Sequence, residues 1–148
     1  MQVAAGTGHR WSVLGEQVIC KALSHDTNGA YSLFEVTSPV GGGAPLHIHR
    51  NEDEAFYVLS GELLVQEGDR RSTAPAGTFV LFRKGTAHTY KNAGSTPARL
   101  LVIVAPGGYE AFFEAMSKIA FAPGSPPDLT AVAGVAGRFD IEIVGPPL

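Results

Sequence analysis

Between residues 18 and 104, apolar and polar positions alternate over short runs instead of recurring at helical steps. The runs are Val18 to Leu23, Tyr31 to Thr37, Ala55 to Leu59, Leu63 to Gln66, Thr78 to Phe82 and Leu100 to Val104, all rich in β-branched and aromatic residues. Turn signals separate them: Asn28-Gly29, Gly41-Gly42-Gly43, Ser60-Gly61, Gly68-Asp69, Ala76-Gly77, Lys84-Gly85 and Asn92-Ala93-Gly94. Short strands at such spacing predict an all-β antiparallel sandwich or barrel. From Tyr109 to Ala120 the pattern changes, with Tyr109, Phe112, Phe113, Met116, Ile119 and Ala120 at three- and four-residue steps, one face of an amphipathic helix. A Pro- and Gly-rich connector, Pro123 to Pro127, follows, then a second short helix from about Asp128 and an alternating edge segment from Phe139 to Val144. We expect one domain over residues 1–148, with the barrel core at about 11–106 and a C-terminal helical segment and tail at 107–148.

Composition narrows the function classes. The chain has 148 residues, 45% apolar and 17% charged, and a formal net charge of −3, so it has no drive toward phosphate backbones or anionic membranes. We therefore expect neither nucleic acid nor membrane as partner. Cys20 is the only cysteine, which excludes an internal disulfide and a cysteine-rich metal site, and it reads as a small buried hydrophobe. The first eleven residues lack a secretory apolar stretch, and no apolar run approaches the roughly 20 residues of a span. A cytoplasmic protein is expected.

Two spaced stretches carry chemistry. Five residues separate Gly41 from His47; His49 follows after one more, Glu54 after four and Gly61 after six. Side chains alternate along a strand, so His47 and His49 share a face. Glu54, past the polar turn Arg50 to Asp53, folds back on the next strand to add a carboxylate oxygen. The second stretch runs Gly77, five residues, Arg83, then Gly85, two residues, His88, three residues and Asn92. His88 is expected to begin a strand facing the histidine pair across the barrel. Three imidazoles and a carboxylate suit one divalent Fe, Mn, Ni, Co, Cu or Zn ion. Four protein ligands on a six-coordinate ion leave two adjacent positions for substrate and dioxygen or water. His9 and His25 have no partners at ligand spacing and read as surface residues.

These stretches resemble the paired motifs of the cupin superfamily, G-x₅-H-x-H-x₃₋₄-E-x₆-G and G-x₅-P-x-G-x₂-H-x₃-N. Every fixed position matches except Arg83, where the family usually has proline. The resemblance implies a double-stranded β-helix, or jelly roll, holding the metal on His47, His49, Glu54 and His88. Within the superfamily the chain looks like small bacterial cupins similar to quercetin 2,3-dioxygenase. That likeness implies a dioxygenase acting on a flavonol-like or other small enolic or aromatic substrate, with Glu54 as ligand and catalytic base. A metal-dependent isomerase, epimerase, decarboxylase or lyase shares the ligand set, and a non-catalytic small-molecule binding module is the third reading. Phe34, Phe56, Phe79, Phe82, Tyr90, Phe112 and Phe113 are the candidate pocket residues. Homodimerisation is implied too, with Gln17 to Leu23 as the candidate pairing edge.

Overall fold

A computed structural model describes residues 1–148. Eleven strands form two antiparallel sheets. They are β1 (His9–Val13), β2 (Glu16–Ala22), β3 (Ser32–Ser38), β4 (Pro45–His49), β5 (Asp53–Ser60), β6 (Glu62–Glu67), β7 (Arg70–Pro75), β8 (Phe79–Phe82), β9 (His88–Asn92), β10 (Ala98–Ala105) and β11 (Ile141–Pro147). The order is β1-β2-β3-β10-β5-β8 in one sheet and β11-β4-β9-β6-β7 in the other. Register follows the apolar alternation. Val36, Leu100 and Val58 pair in one row, and Phe34, Val102 and Phe56 in the next, all turned inward and buried. A one-residue slip would turn each of these side chains out to solvent, so burial fixes the register.

Two strands have no counterpart among the sequence expectations. In β7 only Ala74 is buried, so there is no apolar alternation to read. β1 carries His9, Arg10 and Ser12, yet pairs along its length with β2. That pairing corrects the dimer edge: Gln17 to Leu23 lies between β1 and β3, and β1 is the outer strand.

The expected helix from Tyr109 to Ala120 is shorter. The helix α1 spans Glu110–Met116 and ends in tight turns, with the Ile119 amide donating to Met116 O at 3.0 Å. A second helix, α2 (Leu129–Ala136), starts where expected. Asp128 caps it, its Oδ1 accepting from the Thr130 and Ala131 amides at 3.0 and 3.1 Å. Strand β11 then returns to pair with β4, so the two-sheet structure draws on residues well beyond 106. No helix is long and apolar enough to cross a membrane.

Candidate metal centre

Alternation on β4 turns Pro45, His47 and His49 inward. The next strand in that sheet, β9, brings His88 directly beside His47 as its register partner. The expectation that His88 faces the pair from across the barrel is therefore corrected. Glu54 is the residue that faces them from the other sheet, on β5, where it pairs with Val104 and Phe82. All four side chains are buried, and their potential ligand atoms lie within 4.8 Å of one another.

The donor set fits a divalent transition metal. His47 Nδ1 donates to Pro45 O at 2.7 Å and His88 Nδ1 to Thr86 O at 2.9 Å, which leaves both Nε2 lone pairs for the cluster. His47 Nε2 lies 3.1 Å from His49 Nε2, and His88 Nε2 lies 3.1 Å from Glu54 Oε2. Two metal bonds of about 2.1 Å at a right angle put their donor atoms about 3.0 Å apart. Converging acceptors at that spacing are what a cation relieves.

Protonation states agree. Burial, and then the neighbouring His88 and His49, push His47 down to about 3, so it is neutral at pH 7. Burial pushes Glu54 up, but a hydrogen bond from His88 Nε2 when that nitrogen carries a proton, together with the charge of protonated histidines around it, outweighs burial and holds the carboxyl at about 2. A neutral imidazole and an ionised carboxylate are the forms that bind metal.

Neighbours fix the ligands. Phe82 stacks on His88, with ring centroids 4.3 Å apart and planes 12° apart. Tyr109 stacks on His49 at 5.2 Å, its hydroxyl 3.4 Å from Nε2. His49 Nδ1 and Glu52 Oε2 are both buried without a hydrogen-bond partner, and stand 3.7 Å apart. A histidine that ligates through one nitrogen ordinarily donates the other N–H to such a carboxylate.

The glycine run also has a structural cause. A Cβ on Gly43 would stand 2.1 Å from Tyr90 O, so only glycine lets the lead into β4 lie against β9. The Gly41 amide donates to Asn92 O, and the Asn92 amide to Gly42 O, joining the ends of the two motifs. Arg83, in place of the usual proline, pairs on the surface with Asp53 at 2.9 Å, and Asp53 also accepts from the Lys84 amide.

A half-enclosed cavity of about 70 Å³ opens beside His47 and Glu54. Of the seven candidate pocket aromatics, Phe56, Tyr90, Phe112 and Phe113 line it. Phe34 is buried in the core next to Phe113, and Phe82 is occupied by His88. Phe79 is corrected outright: it is 60% exposed, because β8 turns Phe82 inward and Phe79, three residues earlier, outward. Three residues that the motifs do not single out stand in the site. Glu52 adjoins His49, while Tyr109 and Glu16 line the cavity.

Residues 34–104 match the family model described as the cupin domain. The chain is 27% identical over 92 residues to the oxalate-binding protein of Thermotoga maritima, covering 61% of this chain and 76% of that protein. It is 30% identical over 90 residues to quercetin 2,3-dioxygenase of Bacillus subtilis, covering 59% of this chain but 26% of that enzyme. A crystal structure described as a predicted oxalate decarboxylase from Thermotoga maritima superposes with a TM-score of 0.64 at 23% identity, covering 72% of this chain and 99% of that one. That likeness establishes the fold.

Proposed function

We propose, from the match of residues 34–104 to the cupin domain model, that the chain is a metal-dependent cupin enzyme, an oxygenase acting on a small enolic substrate. The observation that carries the reading is the buried cluster of His47, His49, Glu54 and His88 opening into an apolar cavity. A divalent ion held there supplies Lewis acidity toward a bound hydroxyl and, if redox-active, a path for electrons to dioxygen. Glu54, ionised, takes the hydroxyl proton of the substrate at its carboxylate. Its neighbours lower the pKa of the carboxyl, so Glu54 is a weak base and takes a proton only from a hydroxyl that a bound metal would make more acidic still. Phe56, Phe112 and Phe113 exclude water from the reacting face, and the Tyr109 hydroxyl offers a hydrogen bond beside it.

Size bears on the substrate. A cavity of about 150 Å³ holds benzene, and this one measures about 70 Å³. A three-ring flavonol exceeds this cavity, whereas an enol of a few heavy atoms fits it. The similarity to quercetin 2,3-dioxygenase supports the oxygenase class, and compactness favours a smaller substrate within it. A second reading, metal-dependent proton transfer as in an isomerase or decarboxylase, draws on the ionised Glu54 and the adjoining Tyr109 hydroxyl, which need no oxygen.

The test is oxygen uptake by metal-loaded protein offered small enols and flavonols, with Glu54→Gln as control. Uptake abolished in the variant supports the oxygenase. Turnover without uptake selects proton transfer, and tight binding without turnover selects the binding module. We also propose that two copies pair. The outer faces of β5, β8 and β10 expose Tyr57, Leu59, Phe79, Leu81 and Ile103, an apolar surface of the kind a partner covers. A monomer in sedimentation at micromolar concentration would sink that idea.

A further inference from the structure

The end of the cavity away from the metal ligands is not wholly apolar. Glu16, at the start of β2, lines it and is 7% exposed. Tyr90 donates its hydroxyl to Glu16 Oε2 at 2.6 Å, which occupies one carboxyl oxygen. The other, Oε1, is buried and has no hydrogen-bond partner. Ser38 Oγ stands close enough to pull the carboxyl down, but no hydrogen bond of ordinary geometry joins it to Glu16, and it is itself unpartnered. Burial raises the carboxyl above its ordinary range, against the pull of Ser38 and Tyr90. An unmatched buried carboxyl oxygen costs about 1–3 kcal/mol, and a core needing only volume at this position is better filled by leucine or methionine.

We propose that Glu16 is a specificity residue, whose Oε1 hydrogen-bonds a hydroxyl at the end of the substrate remote from the metal ligands. The inference rests on the substrate-cavity reading above and narrows it. The substrate class becomes a compact, mainly apolar molecule with an enol or hydroxyl at one end and a second hydroxyl at the other. A hydroxyl suits Oε1 in either form of the carboxyl, because it donates to a carboxylate and accepts from a carboxylic acid. Tyr90 fixes the rotamer of Glu16 and directs Oε1 away from itself. Phe56, whose ring lies 5.0 Å from that of Tyr90, packs against the pair from the side of the metal ligands.

The test uses propan-2-ol and 2-chloropropane, molecules of similar shape that differ by one hydroxyl. Binding is followed by NMR through the amides of Gly43, Ala44 and Tyr90, on full-length protein as purified and after chelator treatment. The readout is the ratio of the two affinities. We expect Glu16→Leu to lower the alcohol preference about tenfold, the worth of one hydrogen bond of about 1.4 kcal/mol. Glu16→Gln, which keeps a donor and an acceptor, should retain most of it. An unchanged ratio in folded Glu16→Leu overturns the proposal, as does the absence of any probe shift at these amides. Metal content of the same samples reports separately on the metal-dependent reading, so either can fail alone.

Discussion

Gly43 and Gly41 belong to one glycine run, yet substituting alanine at each should have different consequences. At Gly43 the new Cβ would lie 2.1 Å from Tyr90 O and 3.0 Å from Lys91 Cα. Reaching an ordinary contact of about 3.5 Å takes roughly 1.4 Å of backbone movement. The junction it pries open is thin: β4 and β9 are joined in register by His47 and His88, with Gly43 and Lys91 forming the adjoining bridge. Overpacking of this kind costs about 1–3 kcal/mol, or roughly 2–12 °C of melting temperature at this size. Since His47 and His88 are both ligands, metal affinity should fall at least tenfold. At Gly41 the Cβ would meet nothing within 4 Å, and φ is +78°. Alanine there costs only the left-handed conformation, about 1–2 kcal/mol, and should leave metal affinity unchanged. Thermal melts with competitive titration of Zn²⁺ or Ni²⁺ measure both quantities. Equal metal affinity in the two variants would refute the argument that Gly43 sets the spacing of the ligand strands.

His47→Ala should abolish stoichiometric metal binding, because it removes one of four ligands; elemental analysis of untagged protein checks this. Glu52→Gln should weaken metal affinity by about 10–100-fold without removing a ligand, the usual effect of losing an outer carboxylate, and a competition titration that finds no change denies Glu52 the role. In chelator-treated protein, His47 at about 3 against an ordinary 6.5 makes a contribution to stability that is full above pH 6.5 and lost as pH falls toward 3. Glu54 at about 2 against 4.5 adds a second loss below pH 4.5. Urea melts across pH 4.5–6.5 should therefore show a slope of up to about 1.4 kcal/mol per pH unit from His47, absent in a folded His47→Ala variant.

Much of the site is legible in the chain because a strand's period of two is local. His47 and His49 share a face by alternation alone, and the turn at 50–53 returns Glu54 toward them. What alternation does not encode is which strands lie side by side. His88 sits next to His47 and Glu54 opposite because β9 pairs with β4 while β5 pairs with β10 and β8. Those choices are made by the whole barrel. The phase of a four-residue strand is equally hard to read, which is why Phe79 faces solvent while Phe82 packs on His88. Glu16 lies in no motif, and its setting comes from Tyr90, a residue 74 positions away. Glu52 reads as a turn residue until the fold shows the unpartnered nitrogen beside it.

The pairing of β11 with β4 has a consequence for how the protein is made. Ile141 and Ile143 stand opposite His49 and His47, so one flank of the ligand strand is supplied by a segment translated long after it. While the ribosome is still adding those residues, β4 has β9 on one side and an open hydrogen-bonding edge on the other. All three histidines are made before the wall that steadies two of them. Metal that reaches the nascent chain before then meets ligands whose backbone is not yet held. Durable loading of the site thus follows the synthesis and docking of β11.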